Sequence, residues 1–138
     1  MSQQNVEVVR AIVDAWNRGD WNAALKDAAP SFEFDFSRSV SPGHGVYGLD
    51  QMEEFFRQLT EPWESIRLEP DEFIDAGEHV VMPNTLQAQG RDGIEVEART
   101  AWVWTIRDGK VFHLRLYQGR REALEALGLS DQDAPAAS

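Results

Sequence analysis

What the chain lacks excludes several kinds of site. It contains no cysteine, so disulfide bonds, thiolate nucleophiles and thiolate metal sites are not available. Glycine-rich phosphate-binding motifs and a Ser-His-Asp arrangement are also absent. Only three histidines occur, and no two of them share a helical spacing or a plausible common face. We therefore expect no metal site and no cofactor.

Positive charge and long apolar runs are scarce as well. The 13 Lys and Arg residues are outnumbered by 24 Asp and Glu residues, and the resulting net charge of -11 repels nucleic-acid phosphates. The first residues are polar, and no apolar run is long enough for a membrane span. We therefore expect no nucleic-acid or membrane partner, no signal peptide and a cytoplasmic location.

The apolar residues that are present follow two different spacings. Helical spacing predicts amphipathic helices over residues 3–18, 20–28 and about 50–60, the last beginning at a capping-box pattern of Asp50 and Glu53. Period-two spacing then predicts strands over residues 66–74, 79–89, 94–106 and 110–118, with a short strand earlier at 32–36 and a short closing helix at 122–127.

This order of elements predicts an α+β fold. We expect a cone-shaped, curved, mixed or antiparallel sheet with three N-terminal helices packed on its concave face. Residues 1–129 have the length of a single domain, and the polar, Ala- and Pro-containing residues 130–138 are expected to form a disordered tail.

The hairpin over residues 94–118 shows the clearest alternation. A two-residue turn would place Trp102 opposite Arg115, whereas a three-residue turn would place Trp102 opposite Leu114. We predict the second register because it keeps the apolar faces of the two strands together.

Four short phrases carry a resemblance to a known family. They read AWNRGDW at 15–21, GVYG at 45–48, WVWT at 102–105 and RDGKV at 107–111. With the order of elements, they make the chain resemble the SnoaL-like (polyketide cyclase-like) group of the nuclear transport factor 2-like superfamily over about residues 6–129. The resemblance implies a cone-shaped fold that encloses a pocket, and often a homodimer.

The same resemblance implies several functions, because the superfamily contains isomerases, cyclases, epoxide hydrolases and non-catalytic members. Comparison with the related ketosteroid isomerases places Asp35 at the position of the general base. It places Ile12 and Trp102 where those enzymes have their oxyanion-hole Tyr and Asp. An Asp that the epoxide hydrolases need is Leu116 here. Neither activity is expected by those mechanisms.

Asp35 and His44 are the candidates for acid–base chemistry. The resemblance implies that Asp35 faces the pocket, where desolvation would raise its pKa and Asp35→Asn would leave stability unchanged or higher. Alternation with the neighbouring phenylalanines instead favours Asp35 facing water. His44, in the Ser-, Pro- and Gly-rich residues 37–48, could act as a proton shuttle from a loop or remain solvated.

Aromatic and polar residues expected on the inner face are the candidates for ligand binding. They are Trp16, Tyr47, Phe55, Asn84, Thr100, Trp102 and Leu116. Asn84 is expected near Thr100, where the pair could bind a ligand or satisfy each other. The aromatic residues could equally be ordinary core, although a buried indole N–H needs a hydrogen-bond partner.

Two functional hypotheses follow. The first is a small, cofactor-independent isomerase, cyclase, lyase or hydrolase that acts on a hydrophobic, oxygenated small molecule by acid–base chemistry, with Asp35 as base. The alternative is a non-catalytic ligand-binding or dimeric interaction module. Val103 and Tyr117, on the outward face beside His113 and Arg115, would expose apolar area there, so we predict a homodimer through that face.

Overall fold

Four α-helices and seven strands form within the residues that the computed structural model describes, 2–37 and 45–129. The helices are α1 (Ser2–Asn17), α2 (Trp21–Leu25), α3 (Met52–Thr60) and α4 (Arg120–Ala126), and a 3-10 turn (Leu49–Gln51) precedes α3. The strands are β1 (Ala28–Asp35), β2 (Val46–Gly48), β3 (Trp63–Pro70), β4 (Ile74–Ala76), β5 (His79–Gly90), β6 (Glu95–Arg107) and β7 (Lys110–Tyr117). Residues 130–138, predicted to be a tail, lie outside the described residues.

The strands pair into one curved sheet in the order β2-β1-β7-β6-β5-β3, with β4 also paired to β5. β1 and β7 run parallel and the other pairs are antiparallel, so the sheet is mixed. The helices α1, α2 and α3 contribute to one large apolar core with the inner face of this sheet. The predicted α+β fold is confirmed.

Periodic apolar residues explain why α1 and α3 pack where they do. Val9, Val13 and Trp16 on α1 are buried, as are Met52, Phe55 and Phe56 on α3. Spacings of three and four residues put these side chains on one stripe of each helix. The two stripes meet the alternate, inward-facing residues of the strands, and this contact positions the helices over the concave face.

The closing helix α4 packs on the opposite, outer face of the sheet. Its Ala123 and Leu124 join a second apolar cluster with Val103 and Tyr117, which are only 5% and 4% exposed. The expectation that Val103 and Tyr117 expose apolar area on the outward face is therefore wrong. The chain covers this area with its own helix, so the predicted homodimer loses the observation that motivated it.

The register of the β6–β7 hairpin also differs from the prediction. Arg107 pairs with Lys110 across a two-residue turn, in which Asp108 and Gly109 have φ angles of 51° and 75°. A register shift after Thr105 then moves the pairing by one residue, and Trp102 lies opposite Leu116 rather than Leu114. The shift keeps the apolar faces together, which the prediction had assigned to a longer turn.

Side-chain caps fix two helix starts. Asp20 accepts a hydrogen bond from the Ala23 N–H at 3.1 Å, as predicted for the start of α2. The capping box predicted for Asp50 and Glu53 is wrong. A 3-10 turn comes first, and the Gly48 N–H donates to Gln51 Oε1 at 2.8 Å.

Asn17, the last residue of α1, caps the outer edge of β3. Its Nδ2 donates to the Leu68 carbonyl at 2.8 Å, and its Oδ1 accepts from the Leu68 N–H at 2.9 Å. β3 is the last strand on its side of the described sheet. The amide group of Asn17 thus pairs with the edge as a neighbouring strand would, and it joins α1 to the sheet.

Candidate functional site

An apolar cavity of about 250 Å³ lies between the helices and the inner face of the sheet. Its inner part is formed by buried side chains from five elements, namely Trp16, Phe34, Phe55, Trp102 and Leu116. Its outer part is formed by less buried residues at the far ends of β3, β5 and β6, namely Trp63, Ile66, Leu86, Ala88, Val96 and Ala98. Phe36, Arg99, Thr100 and Gln118 complete the wall.

Small side chains on the curved hairpin leave this space open. Val96, Ala98, Thr100 and Trp102 are alternate residues of β6, so they follow one another along the inner face from the outer to the inner part. Next to them on β5, Ala88 pairs with Val96. Large aromatic side chains line the inner part of the cone, while Ala88, Ala98 and Thr100 farther out are small.

Two buried indole groups give the apolar wall its polar character. Trp16 and Trp102 are 4% and 3% exposed, and neither Nε1 has a hydrogen-bond partner among the described residues. Their ring centroids lie 5.4 Å apart. Trp104 also has an unpartnered Nε1, but it lies outside this cavity. Buried N–H groups nearly always find an acceptor, so the rings of Trp16 and Trp102 line the cavity and each also carries an unused donor that other atoms cover.

Asn84 and Thr100 pair directly across β5 and β6, as their predicted register requires. Asn84 is 1% exposed, and its Nδ2 donates to the Met82 carbonyl at 3.0 Å. The Thr100 hydroxyl donates to Asn84 Oδ1 at 2.9 Å. Thr100 lines the cavity and Asn84 does not, so Asn84 supports the wall from behind.

Asp35 lies on the outer side of β1, away from the cavity. Its Oδ2 is 3.2 Å from Arg115 Nε, and its Oδ1 accepts from the backbone N–H and the hydroxyl of Ser37. Partial burial alone would raise the pKa of Asp35, but the hydrogen bonds from Ser37 and the charge of Arg115 lower it overall. The pocket-facing position and raised pKa expected for Asp35 are wrong, because strand alternation turns Phe34 inward and Asp35 outward.

The structure brings together five of the predicted binding residues. Trp16, Phe55, Thr100, Trp102 and Leu116 all line the cavity. Tyr47 packs on Phe55 from the side, with ring centroids 4.7 Å apart, and does not itself line the wall. His44 lies outside the described residues.

Sequence reasoning missed most of the outer part of the cavity. The signal was present, since Val96 and Ala98 share the inward parity of Trp102 on β6 and Ala88 follows from pairing β5 with β6. Among the described residues of the wall, Arg99 is the one ionisable side chain. The described part of the chain contains no group of three metal-ligating side chains and no helix able to span a membrane.

Comparisons with known proteins agree on one family. A family model for the SnoaL-like domain matches residues 9–114. An NTF2-like protein of unknown function from Burkholderia pseudomallei K96243 is 25% identical, with 91% of this chain and 97% of that chain covered and a TM-score of 0.74. No curated protein matches this chain significantly.

Two further solved structures share the fold. TerC, co-crystallised with polyporic acid, is 24% identical over 90% of this chain and 97% of its own, with a TM-score of 0.73. A putative SnoaL-like polyketide cyclase from Jannaschia sp. CCS1 is 21% identical over 84% and 85%, with a TM-score of 0.71. Since the family model matches more than half of the chain and the fold agrees throughout, this protein belongs to the SnoaL-like domain family of NTF2-like proteins.

Proposed function

We propose that the protein binds a hydrophobic small molecule that carries at least one hydrogen-bond-accepting oxygen. The observation that carries this proposal is the pair of unpartnered indole N–H groups, on Trp16 and Trp102, in the wall of an apolar cavity. An apolar ligand body would fill the space, and its oxygen would accept from one or both indoles after the rings turn their covered N–H groups toward it. Ligand sites are commonly of this kind, mostly apolar with a few placed polar groups.

The energetics favour an occupied cavity over an empty one. A buried donor left without an acceptor costs about 1–3 kcal/mol, so two of them give a ligand oxygen a substantial advantage over a hydrocarbon of the same shape. The wall also contains few groups that could bind charge, since Arg99 is the one ionisable side chain among its described residues. A neutral, oxygenated molecule suits this wall better than a strongly charged one.

The described wall contains no carboxylate and no histidine, which supports binding without catalysis. We therefore prefer the non-catalytic ligand-binding module to the enzyme. An acid–base enzyme is the second candidate, favoured by the two neighbouring indoles with unpartnered N–H groups, which could stabilise a developing oxyanion. In that enzyme His44 keeps its predicted role as a proton shuttle, and His44→Gln would reduce turnover.

Calorimetric titration with 2-naphthol, a neutral apolar molecule with one oxygen, tests the binding proposal. Trp16→Phe and Trp102→Phe each remove an N–H and keep an aromatic ring, so each should weaken binding about threefold to tenfold. Trp104→Phe is the matched control, because it removes an equally buried, unpartnered N–H outside the cavity. Equal losses in all three variants, or no binding to the unmodified protein, would refute the proposal.

A further inference from the structure

The hydrogen bonds behind the cavity wall fix the direction of the Thr100 hydroxyl. The Met82 carbonyl oxygen can only accept, so the Asn84 side chain must turn its Nδ2 toward it, at 3.0 Å. Asn84 Oδ1 then faces Thr100 Oγ1 at 2.9 Å. Because a side-chain amide oxygen also only accepts, the Thr100 hydroxyl must be the donor in this contact.

Burial makes this chain of hydrogen bonds unambiguous. Asn84 is 1% exposed, so water does not compete for its amide. An inverted amide would place an N–H against the Thr100 hydroxyl and an oxygen against the Met82 carbonyl, and the second contact would be repulsive. The hydroxyl proton of Thr100 is therefore used in the hydrogen bond to Asn84. In any further hydrogen bond, Thr100 Oγ1 can only accept.

From this geometry we infer that Thr100 is a specificity-determining residue that accepts a hydrogen bond from a hydroxyl or N–H group of the ligand. Asn84 is the positioning residue that keeps Thr100 in the accepting state. The inference rests on the proposed binding function and adds to it. The cavity then selects hydrophobic molecules that carry an alcohol or phenol in addition to the oxygen that accepts from the indoles.

Thr100 discriminates between ligands by the group that each ligand places next to its hydroxyl oxygen. An ether oxygen or a halogen there can only accept, and so can Thr100 Oγ1 while its hydroxyl donates to Asn84. No hydrogen bond could then form between the ligand and Thr100. Sites built to bond a ligand hydroxyl discriminate strongly against analogues that lack it, because their polar groups are then left unpaired. The two indole donors cannot replace Thr100 in this role, since an indole N–H donates only.

The test uses two probes of similar shape, 2-naphthol and 2-methoxynaphthalene, and measures both dissociation constants by calorimetry. The ratio of the two constants is the readout, because a general loss of stability or apolar contact affects both probes alike. Thr100→Val removes the oxygen at nearly constant volume, and the preference for 2-naphthol should fall about threefold to tenfold. Thr100→Ser keeps the oxygen and should keep the preference.

Asn84→Leu provides an independent variant. It frees the Thr100 hydroxyl to donate, so 2-methoxynaphthalene should bind more tightly relative to 2-naphthol, which loss of packing alone would not produce. If Thr100→Val does not fold, as judged by circular dichroism, Thr100→Ala takes its place against Thr100→Ser.

The possible outcomes distinguish the role of Thr100 from the binding function on which it rests. Binding of both probes with a ratio that does not change in Thr100→Val would overturn the role of Thr100 and leave the cavity as a binding site. A changed ratio in Thr100→Val that Asn84→Leu does not reproduce would remove the positioning role of Asn84. Failure of both probes to bind the unmodified protein would overturn the inference and the binding function together.

Discussion

Asp35 shows how strand alternation decides the environment of a single side chain. Alternation predicted that Asp35 faces outward, while the family resemblance implied that it faces the pocket. The structure follows the alternation, because Phe34 is fully buried and its neighbour must take the other face. Asp35 then pairs with Arg115 on the parallel strand β7, a contact that no spacing in the sequence indicates.

Asp35→Asn is expected to reduce stability at neutral pH by at most about 1 kcal/mol, since the Arg115 side chain is 42% exposed and solvent partly screens the pair. The folded-state pKa of Asp35 lies below its ordinary value of 3.8. Its contribution is therefore present above that pH and is lost as the pH falls through the folded-state pKa. Urea melts at pH 7 should show the loss, and melts at pH 3 should show it shrinking.

Glu97→Gln is the control for Asp35→Asn, because Glu97 is an exposed carboxylate on the same sheet. It should change stability little at either pH. The sequence had indicated that Asp35→Asn leaves stability unchanged or higher, and a melt showing that result at pH 7 would contradict the ion pair with Arg115.

At the scale of elements, the sequence predicts the types of the main elements and the β5–β6 register, but not the β6–β7 register. Periodicity located α1, α3, β5, β6 and β7 because each buries one face along its length. The register of β6 against β7 depends on one extra residue of β7, Phe112, which lies between the paired residues Val111 and His113 and has no partner on β6. The sequence could therefore place Trp102 on the inner face without giving its neighbour on β7.

The cap on the β3 edge leads to a prediction for α1. Asn17→Ala would leave the Leu68 N–H and carbonyl without their partner, and we expect a loss of about 1–3 kcal/mol in the free energy of unfolding. It would also expose a strand edge to pairing with other chains. Denaturant melts and light scattering at increasing protein concentration would measure the two effects.

Asn22→Ala is the matched control, since Asn22 is an exposed asparagine on the short helix α2. It should leave both stability and light scattering unchanged. An Asn17→Ala variant as stable as the unmodified protein would contradict the cap, since alanine has the higher helix propensity and no other effect of the substitution would hide a lost hydrogen-bond pair.

For the whole molecule, the interior is filled at one end of the sheet and open at the other. Trp104 lies in the filled region, beside a void of only about 20 Å³, whereas Trp102 borders the cavity of about 250 Å³. Trp104→Ala should cost about 3–5 kcal/mol, because its void cannot collapse. Trp102→Ala enlarges a space that already exists and should cost roughly 1–2.5 kcal/mol.

Chemical denaturation of both variants measures this difference. Equal losses near the upper value would place Trp102 in an ordinary packed core and remove the support for a ligand cavity. The sequence could not distinguish these two environments, because the two residues have the same type and the same parity on β6. The difference depends on the size of side chains from other elements, such as Ala88 and Leu114, that meet them in three dimensions.

The parallel pairing of β1 with β7 has a consequence for how the protein is made. Phe34 on β1 pairs with Leu114 on β7. β1 therefore joins the rest of the sheet only through a strand that is about 80 residues later in the sequence. A ribosome releases the chain from its N-terminus, so the β1–β2 pair stays without its main neighbour until β7 has also been made. The sheet becomes continuous only after β7 has left the ribosome, when these two distant parts of the chain first coexist outside it.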